Sequence, residues 1–462
     1  MAFLSKRIWS CAIAASLALP ATVFATNGYF LIGYGPKSRA MGGAGVAYGT
    51  DSLAAAANPA AMIDVKSRVD ANAEFFLPPR AVYHSSDTTP VNSKSGSNVF
   101  LIPSMGAIYK FNKKMVMGMA GIGAGLGTRF DQSQPGNNFF DFNNKAGTQP
   151  TAGVMLMQMQ MLPSVAYRVS KKHTIGVSIA MAVQTFRAYG IGDFADWSSA
   201  PEYLSNNGND WSYGGGIRVG WLGKFLKKNR LTLGANWSSR VYMSKFDKYR
   251  GLFADQGNFD IPPTLTIGAS FKVSRQLTVA MDIQKNFFSQ VASVGNPGPI
   301  GKFKGRPVDY ISTPDCVYTV TDPASPNVGL TMPCTSLRSE NKLGGSRGMG
   351  FGWSDQTVFK LGFDYKYNKK WNWRAGLNYG KSPVDPDQIM FSLLAPGIVE
   401  KHVTFGFTYK ATKRMELSMN YMHAFKNTIE GTTFQTNRTP GTNNASASMY
   451  QDSVGFGWGY RF

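Results

Sequence analysis

Nowhere does the chain carry an apolar run near the roughly 20 residues that a transmembrane helix needs, which excludes a helical membrane bundle. Charge is sparse, at 16% of residues, and acid is scarcer than base: 27 Asp and Glu stand against 48 Lys and Arg. The net charge of +21 would point to nucleic acid in a cytosolic protein, but the export signal described next removes that partner. Histidine occurs only at 84, 173, 402 and 423, and cysteine only at 11, 316 and 334. With no His/Cys cluster at ligand spacing, the sequence calls for no metal and no cofactor. It holds no HExxH motif and no phosphate-binding glycine loop, and nothing singles out the Ser–His pair of a lipid-modifying barrel enzyme.

The one apolar stretch lies at the N-terminus. Lys6 and Arg7 form a basic start, Ile8 to Leu19 an apolar middle, and Val23-Phe24-Ala25 a small-residue cleavage site. Residues 1–25 therefore read as a secretory signal peptide. An oxidising destination favours a disulfide between Cys316 and Cys334, which share one long polar loop.

What the chain has in quantity is glycine, aromatics and a period of two. Leu265, Ile267, Ala269, Phe271 and Val273 alternate with polar residues, as do Phe359 to Tyr367, Trp371 to Tyr379 and Val403 to Tyr409. This is strand periodicity. A soluble sandwich would bury the apolar face, whereas a transmembrane barrel turns it to lipid. Strands of about ten residues or more with aromatics near their ends favour the barrel.

Tight basic connections at 110–115, 169–174, 225–231, 273–277, 367–372 and 411–416 alternate with long Gly/Pro/Asn/Asp-rich segments. Six tight turns and seven long loops imply an all-β chain of fourteen antiparallel strands, with both termini on the tight, periplasmic side. The expected strands are 66–80, 99–111, 114–128, 155–169, 173–190, 211–222, 230–245, 262–273, 276–291, 355–367, 370–381, 400–411, 414–428 and 450–462. In the last, Val454, Phe456, Trp458, Tyr460 and Phe462 alternate with small or polar residues. Trp458, Tyr460 and the terminal Phe462 form the aromatic ending that the barrel-assembly machinery reads.

Residues 26–64 fit neither the signal nor the strands. They are rich in Gly and Ala, broken by Gly42-Gly43 and closed by Asn58-Pro59-Ala60. With SRAMGGAGVA, NPAAM, about fourteen strands and a terminal Phe, the layout resembles the FadL-type family of outer-membrane transporters for hydrophobic compounds. That resemblance implies a fourteen-stranded transmembrane β-barrel (65–462) plugged by an N-terminal hatch (26–64). It also implies uptake of long-chain fatty acids or aromatic hydrocarbons, with lateral release through a kinked third strand. Carried onto this chain, the segment 26–30, with Gly28 and Phe30, approaches the binding pocket. Asn58, Pro59 and Ala60 fix the hatch, with Gly42 and Gly43 as its turn. Gly121, Gly123, Gly125 and Gly127 on the third strand mark either the lateral opening or close wall packing.

Phe130, Phe139, Phe140 and Phe142 in one loop, and Phe194 and Trp197 in the next, read as a greasy capture groove or as loop packing. Basic residues of loop 292–354, among them Lys342 and Arg347, suit lipopolysaccharide phosphates or simply water. Inward Arg168, Arg218, Lys360 and Arg374 pair either with a cargo carboxylate or with Asp282, Asp364 and Glu416. The expected partners are thus hydrophobic cargo, outer-membrane lipid and lipopolysaccharide, and the assembly machinery, around a monomer. The rivals are an open porin and, behind it, a barrel enzyme acting on lipid.

Overall fold

The computed structural model describes residues 27–85, 90–132, 151–298, 310–319, 331–337, 339–434 and 440–462. The first wall strand, Arg68–Leu77, resumes after Pro78-Pro79 as Arg80–Ser85. The second comprises Pro90–Lys94 and Phe100–Lys110, and the third Met115–Gly127 and Phe130–Asp131. Thr151–Arg168, His173–Tyr189 and Asp210–Phe225 follow, then a seventh strand split into Leu231–Ser238 and Tyr242–Met243. Thr264–Lys272, Leu277–Asn286, Gln356–Lys366, Trp371–Gly380, Lys401–Lys410, Met415–Phe434 and Pro440–Arg461 complete the fourteen. Each pairs antiparallel with its chain neighbour. The first also pairs with the last, from Arg68↔Arg461 to Leu77↔Asp452, and closes the barrel. Closure removes the two edges that the first and last strands would otherwise expose.

The alternation sorts the two faces as lipid outside and polar groups inside require. Leu265, Ile267, Phe359, Phe363, Leu377 and Phe405 are exposed on the outer face. Thr266, Ser270, Lys360, Asp364, Asn378 and Thr404, one residue out of step, are buried. On the final strand Phe456, Trp458 and Phe462 face out, while Ser453, Gly455 and Gly459 are buried.

Several boundaries differ from the sequence expectation. The thirteenth and fourteenth strands run on to Phe434 and back from Pro440, where a loop over 431–449 was expected. Above the membrane no lipid selects an apolar face, so a Thr/Asn/Ser-rich hairpin stays paired without showing alternation. A register shift between Ala424 and Asn427 marks where the pattern is lost. The fourth strand starts at Thr151, four residues early, because Thr151 and Ala152 pair with Asp131 and Phe130. The ninth ends at Asn286 rather than 291, releasing Phe288 into the loops. The residues around Cys316 and Cys334 form a separate hairpin, Tyr310–Thr319 with Thr331–Leu337, in which Thr313 is opposite Cys334. Their side chains, and so the expected disulfide, lie outside the described residues, as does the signal peptide.

Candidate functional site

Residues 27–65 lie within the ring, held by side chains from strands on all sides. Asp282 of the ninth strand accepts from Gly45 N at 2.7 Å and Val46 N at 3.0 Å. Lys360 of the tenth donates to Ile32 O at 3.0 Å, and Asn378 of the eleventh to Gly42 O at 3.1 Å. Thr404 of the twelfth takes Gly42 N at 2.9 Å, and Arg218 of the sixth donates to Ala56 O at 2.7 Å. Asp70 of the first takes Ser52 N at 2.9 Å. Arg218 and Lys360 therefore hold this segment, and Arg374 bonds Asp364 at 2.9 Å.

Small residues in the segment meet small residues in the wall. A Cβ on wall Gly118 would come within 2.6 Å of Met62 Sδ, one on Gly106 within 2.6 Å of Ser52 Oγ, and one on Gly406 within 2.7 Å of Ala40. Wall residues Gly176 and Gly220 make the same room for Asn58-Pro59-Ala60, and Gly376 makes it for Gly42. Inside the segment, Gly43 (φ +83°) sits against the Ile32 carbonyl, leaving no space for a side chain. Asn58 caps the short 3-10 helix Pro59–Asp64 by accepting from Ala60 N. Its amide also donates to Val46 O at 2.7 Å and Trp221 O at 3.0 Å.

Along one side the contact is ionic. Lys37 pairs with Glu416 and Arg39 with Glu74, while Arg68 reaches both Asp70 and Glu416 at 2.5 Å. Burial and the neighbouring Arg68 pull the Lys37 ammonium below its ordinary pKa, and Glu416 opposes them.

The start of the segment is buried in aromatic rings. Asn27 and Phe30 bond each other through their backbones in a tight turn, with Gly28 at φ +63°. A Cβ on Gly28 would meet Phe288 at 2.7 Å and Trp353 at 3.0 Å. The Tyr29 ring lies 5.8 Å from Phe288, 6.1 Å from Trp353 and 6.3 Å from Phe259. Phe30 stacks on Phe288 at 5.6 Å. The Tyr29 hydroxyl is buried without a hydrogen bond, and burial, then Asp260, push its pKa well up.

Beneath the extracellular loops is a narrow apolar cavity, lined by Phe186, Ile191, Phe194, Phe253, Phe351 and Phe391 among others. The described residues lining it include no charged side chain. Its one polar side chain, Ser293, gives its hydroxyl to Asn258 O at 2.5 Å. These rings belong to one buried apolar cluster that continues through Tyr29, Leu31 and Ile32 to Phe100 and Ile102 of the second strand.

At that strand the wall comes apart. The second and third strands pair from Lys110↔Val116 as far as Ser104↔Ile122, and bond again above the gap, where Gly96 N donates to Arg129 O at 2.7 Å. Between these points, residues 100–103 pair with the first strand and 123–127 with the fourth. A narrow gap lies against this seam, between Ile102, Ser104 and Ile122 of the wall and Leu31, Tyr34 and Arg39 of the N-terminal segment. Gly121, Gly123, Gly125 and Gly127 are buried on the outer side of the third strand, Gly121 beneath Met105 and Met161.

Of the expected loop aromatics, Phe194 lines the outer cavity and Trp197 packs 5.5 Å from it. Phe130 is buried in the same cluster but away from the cavity lining, and Phe139, Phe140 and Phe142 lie outside the described residues. Pattern reading passed over Tyr29, Phe253, Phe288, Trp353 and Phe391. A count of aromatics in loops 246–261, 292–354 and 382–399 would have flagged three of them. The pentapeptide Gly344–Gly348 also fits the G-x-S-x-G spacing of a nucleophile elbow. Here it is an extracellular turn, not a strand-to-helix junction, and Arg347 pairs with Glu340. His173, His402 and His423 stand on wall strands, away from that turn.

Against known proteins, residues 12–462 match the family model described as outer membrane protein transport protein (OMPP1/FadL/TodX). No curated protein matches the chain. The Pseudomonas putida toluene transporter TodX superposes with a TM-score of 0.61 at 18% identity, over 94% of this chain and 99% of that one. The Ralstonia pickettii toluene transporter TbuX gives 0.58 at 19% identity, over 93% and 99%. A Pseudomonas aeruginosa FadL homologue gives 0.62 at 13% identity, over 94% and 100%. At these identities the structures speak for the fold.

Proposed function

The chain belongs to the outer membrane protein transport protein family (OMPP1/FadL/TodX), and we propose that this barrel takes up small uncharged hydrophobic molecules and releases them sideways into the membrane. Membership in this family makes it an outer-membrane transport channel rather than an enzyme. The finer reading rests on one observation, the continuous apolar cluster from the loop cavity, past Tyr29 and Leu31, to the seam at Ile102.

The sequence resemblance left fatty acids and aromatic hydrocarbons open as cargo. The lining favours an uncharged one. A carboxylate in the loop cavity would lose its hydration with no cation among the described lining residues to face it, a cost of several kcal/mol. A hydrocarbon instead gains about 25 cal/mol per Å² of apolar surface taken from water. The transporters TodX and TbuX carry toluene in their names, which agrees with this class. Lateral release has the same physical basis, since a route through the polar lumen would return the cargo to water.

In this reading residues 26–64 are a movable hatch. Toward the first and the ninth to thirteenth strands their contacts are mainly hydrogen bonds and ion pairs to inward polar side chains, which water can replace when the segment shifts. Toward the second to sixth strands Leu53 to Val65 pack an apolar face on Ile108, Val116, Leu162, Ala180 and Leu222. Gly121 to Gly127 let the third strand diverge from the second, since glycine adds no side chain to bind the wall together.

Uptake by cells that differ only in this protein tests the proposal. Expression is expected to speed accumulation of a neutral aromatic hydrocarbon and leave accumulation of a long-chain fatty acid unchanged. Faster uptake of the fatty acid alone would overturn the uncharged-cargo reading. Rapid sugar flux in liposome swelling would instead identify a porin.

A further inference from the structure

The basic turns are not used by any step above, yet they share one geometry. In five of the six, a side-chain oxygen of Asn112, Ser170, Ser274, Asn368 or Thr412 accepts from the backbone N–H groups two and three residues on, at 2.7–3.2 Å. In four of the five, the residue just before that oxygen is an exposed apolar side chain: Phe111, Val169, Val273 and Tyr367. Phe111 and Tyr367 are 63% and 60% exposed. The sixth turn, 224–231, reaches the same result by another backbone route and exposes Leu226.

Cations flank every one of these apolar residues. The segments 110–115, 168–173, 224–231, 272–277, 366–371 and 410–415 contain eighteen Lys and Arg and no Asp or Glu. Their tips, such as Lys113, Lys171, Lys228, Lys369 and Lys413, are exposed. The nearby acids are occupied: Asp64 pairs with Lys224, and Glu416 faces inward to Lys37, Arg68 and Arg461. At the other end of the barrel charge is mixed, with the ion pairs Arg347–Glu340, Lys245–Asp255 and Arg240–Asp260.

We propose that the rim of tight turns is a binding surface for anionic phospholipid headgroups in the periplasmic leaflet of the outer membrane. The turn side of such a barrel is periplasmic. Just above the turns, Tyr109, Tyr167, Phe271, Tyr365 and Trp458 are exposed on the lipid-facing wall, the level at which aromatic girdles meet headgroups. The rim is thus continuous with the membrane belt. The apolar residue of each turn dips into the acyl boundary while neighbouring ammonium groups reach lipid phosphates. A soluble acidic protein would satisfy the cations but leave those apolar side chains in water.

The full mature protein in mixed phosphatidylethanolamine–phosphatidylglycerol vesicles supplies the test, with quenching of tryptophan fluorescence by brominated forms of each lipid as readout. Trp371, Trp373 and Trp458 report from the rim. Wild type is expected to be quenched more by brominated phosphatidylglycerol. The excess should vanish in 1 M salt, where the screening length falls to about 3 Å. It should also vanish when Lys113, Lys114, Lys171, Lys172, Lys369 and Lys370 are all changed to Gln, and survive when the same six are changed to Arg. A heat-dependent shift on gels checks that each variant is a folded barrel. Equal quenching by the two lipids in wild type, or an excess that persists in the Gln variant, would overturn the proposal. So would an excess abolished by Lys342→Gln with Arg347→Gln at the opposite end.

Discussion

Asn58 donates its side-chain amide to the carbonyl of Trp221 at 3.0 Å, tying the N-terminal segment to the sixth strand where Gly220 makes room for Pro59. The same side chain holds Val46 O and caps Ala60 N. Asn58→Ala removes all three bonds at once. Each buried group left unpaired costs about 1–3 kcal/mol. The wall, built on its own ladder, is expected to assemble normally and to keep its heat-dependent gel shift. The segment should loosen, and single-channel recordings in planar bilayers should show more frequent current steps than wild type. Traces as quiet as wild type would mean that Asn58 does not fix the hatch.

Tyr29 presents the opposite case. Its ring is packed among Phe288, Trp353 and Phe259, but its hydroxyl is buried without a partner. A buried unpaired hydroxyl costs about 1–3 kcal/mol. Tyr29→Phe is therefore expected to keep the thermal unfolding midpoint or raise it, with uptake retained. Tyr29→Ala removes the ring that joins the loop cluster to the segment and should lower the midpoint. A drop on Tyr29→Phe would show that the hydroxyl is bonded in the working protein.

Leu343 lines the loop cavity and lies in its apolar cluster. A cation there reverses the electrostatics from which the cargo class was inferred. Leu343→Lys is expected to weaken binding of a neutral aromatic by about tenfold or more, equivalent to about 1.4 kcal/mol. Affinity for a fatty-acid carboxylate should appear or rise. Titration calorimetry in detergent measures both. Unchanged affinities for both ligands would place the cargo elsewhere.

Much of the wall was legible because lipid imposes a rule that every strand must obey. Phe359, Leu361 and Phe363 face out and Lys360 faces in because neither could exchange places cheaply. The rule ends where the membrane ends, so the paired hairpin between Met415 and Arg461 looked like a loop above residue 428. The site was harder to read. Phe288, Trp353 and Phe391 are far apart in the chain and meet only because loops over different strands fold onto one another, while Tyr29 reaches them from below. The third-strand glycines were visible, but their consequence depends on pairing. The seam exists because the second strand stops bonding the third at Ser104 and Ile122 and resumes only at Gly96 and Arg129, and no local pattern marks those points. Inward glycines such as Gly176 and Gly376 were equally visible, and their reason appears only once Ala60 and Gly42 lie against them.

The account depends most on the seam. Cys316→Ser and Cys334→Ser give a background free of competing thiols in the mature chain, into which Ile102→Cys and Ala124→Cys are placed on either side of the unpaired stretch. A short thiol-reactive cross-linker that a reductant can cleave then joins the second and third strands across the gap above Ser104 and Ile122. Uptake of a neutral aromatic hydrocarbon is expected to stop on cross-linking and to recover on reduction, with each single-cysteine control unaffected. Uptake that continues through the joined seam would contradict lateral release.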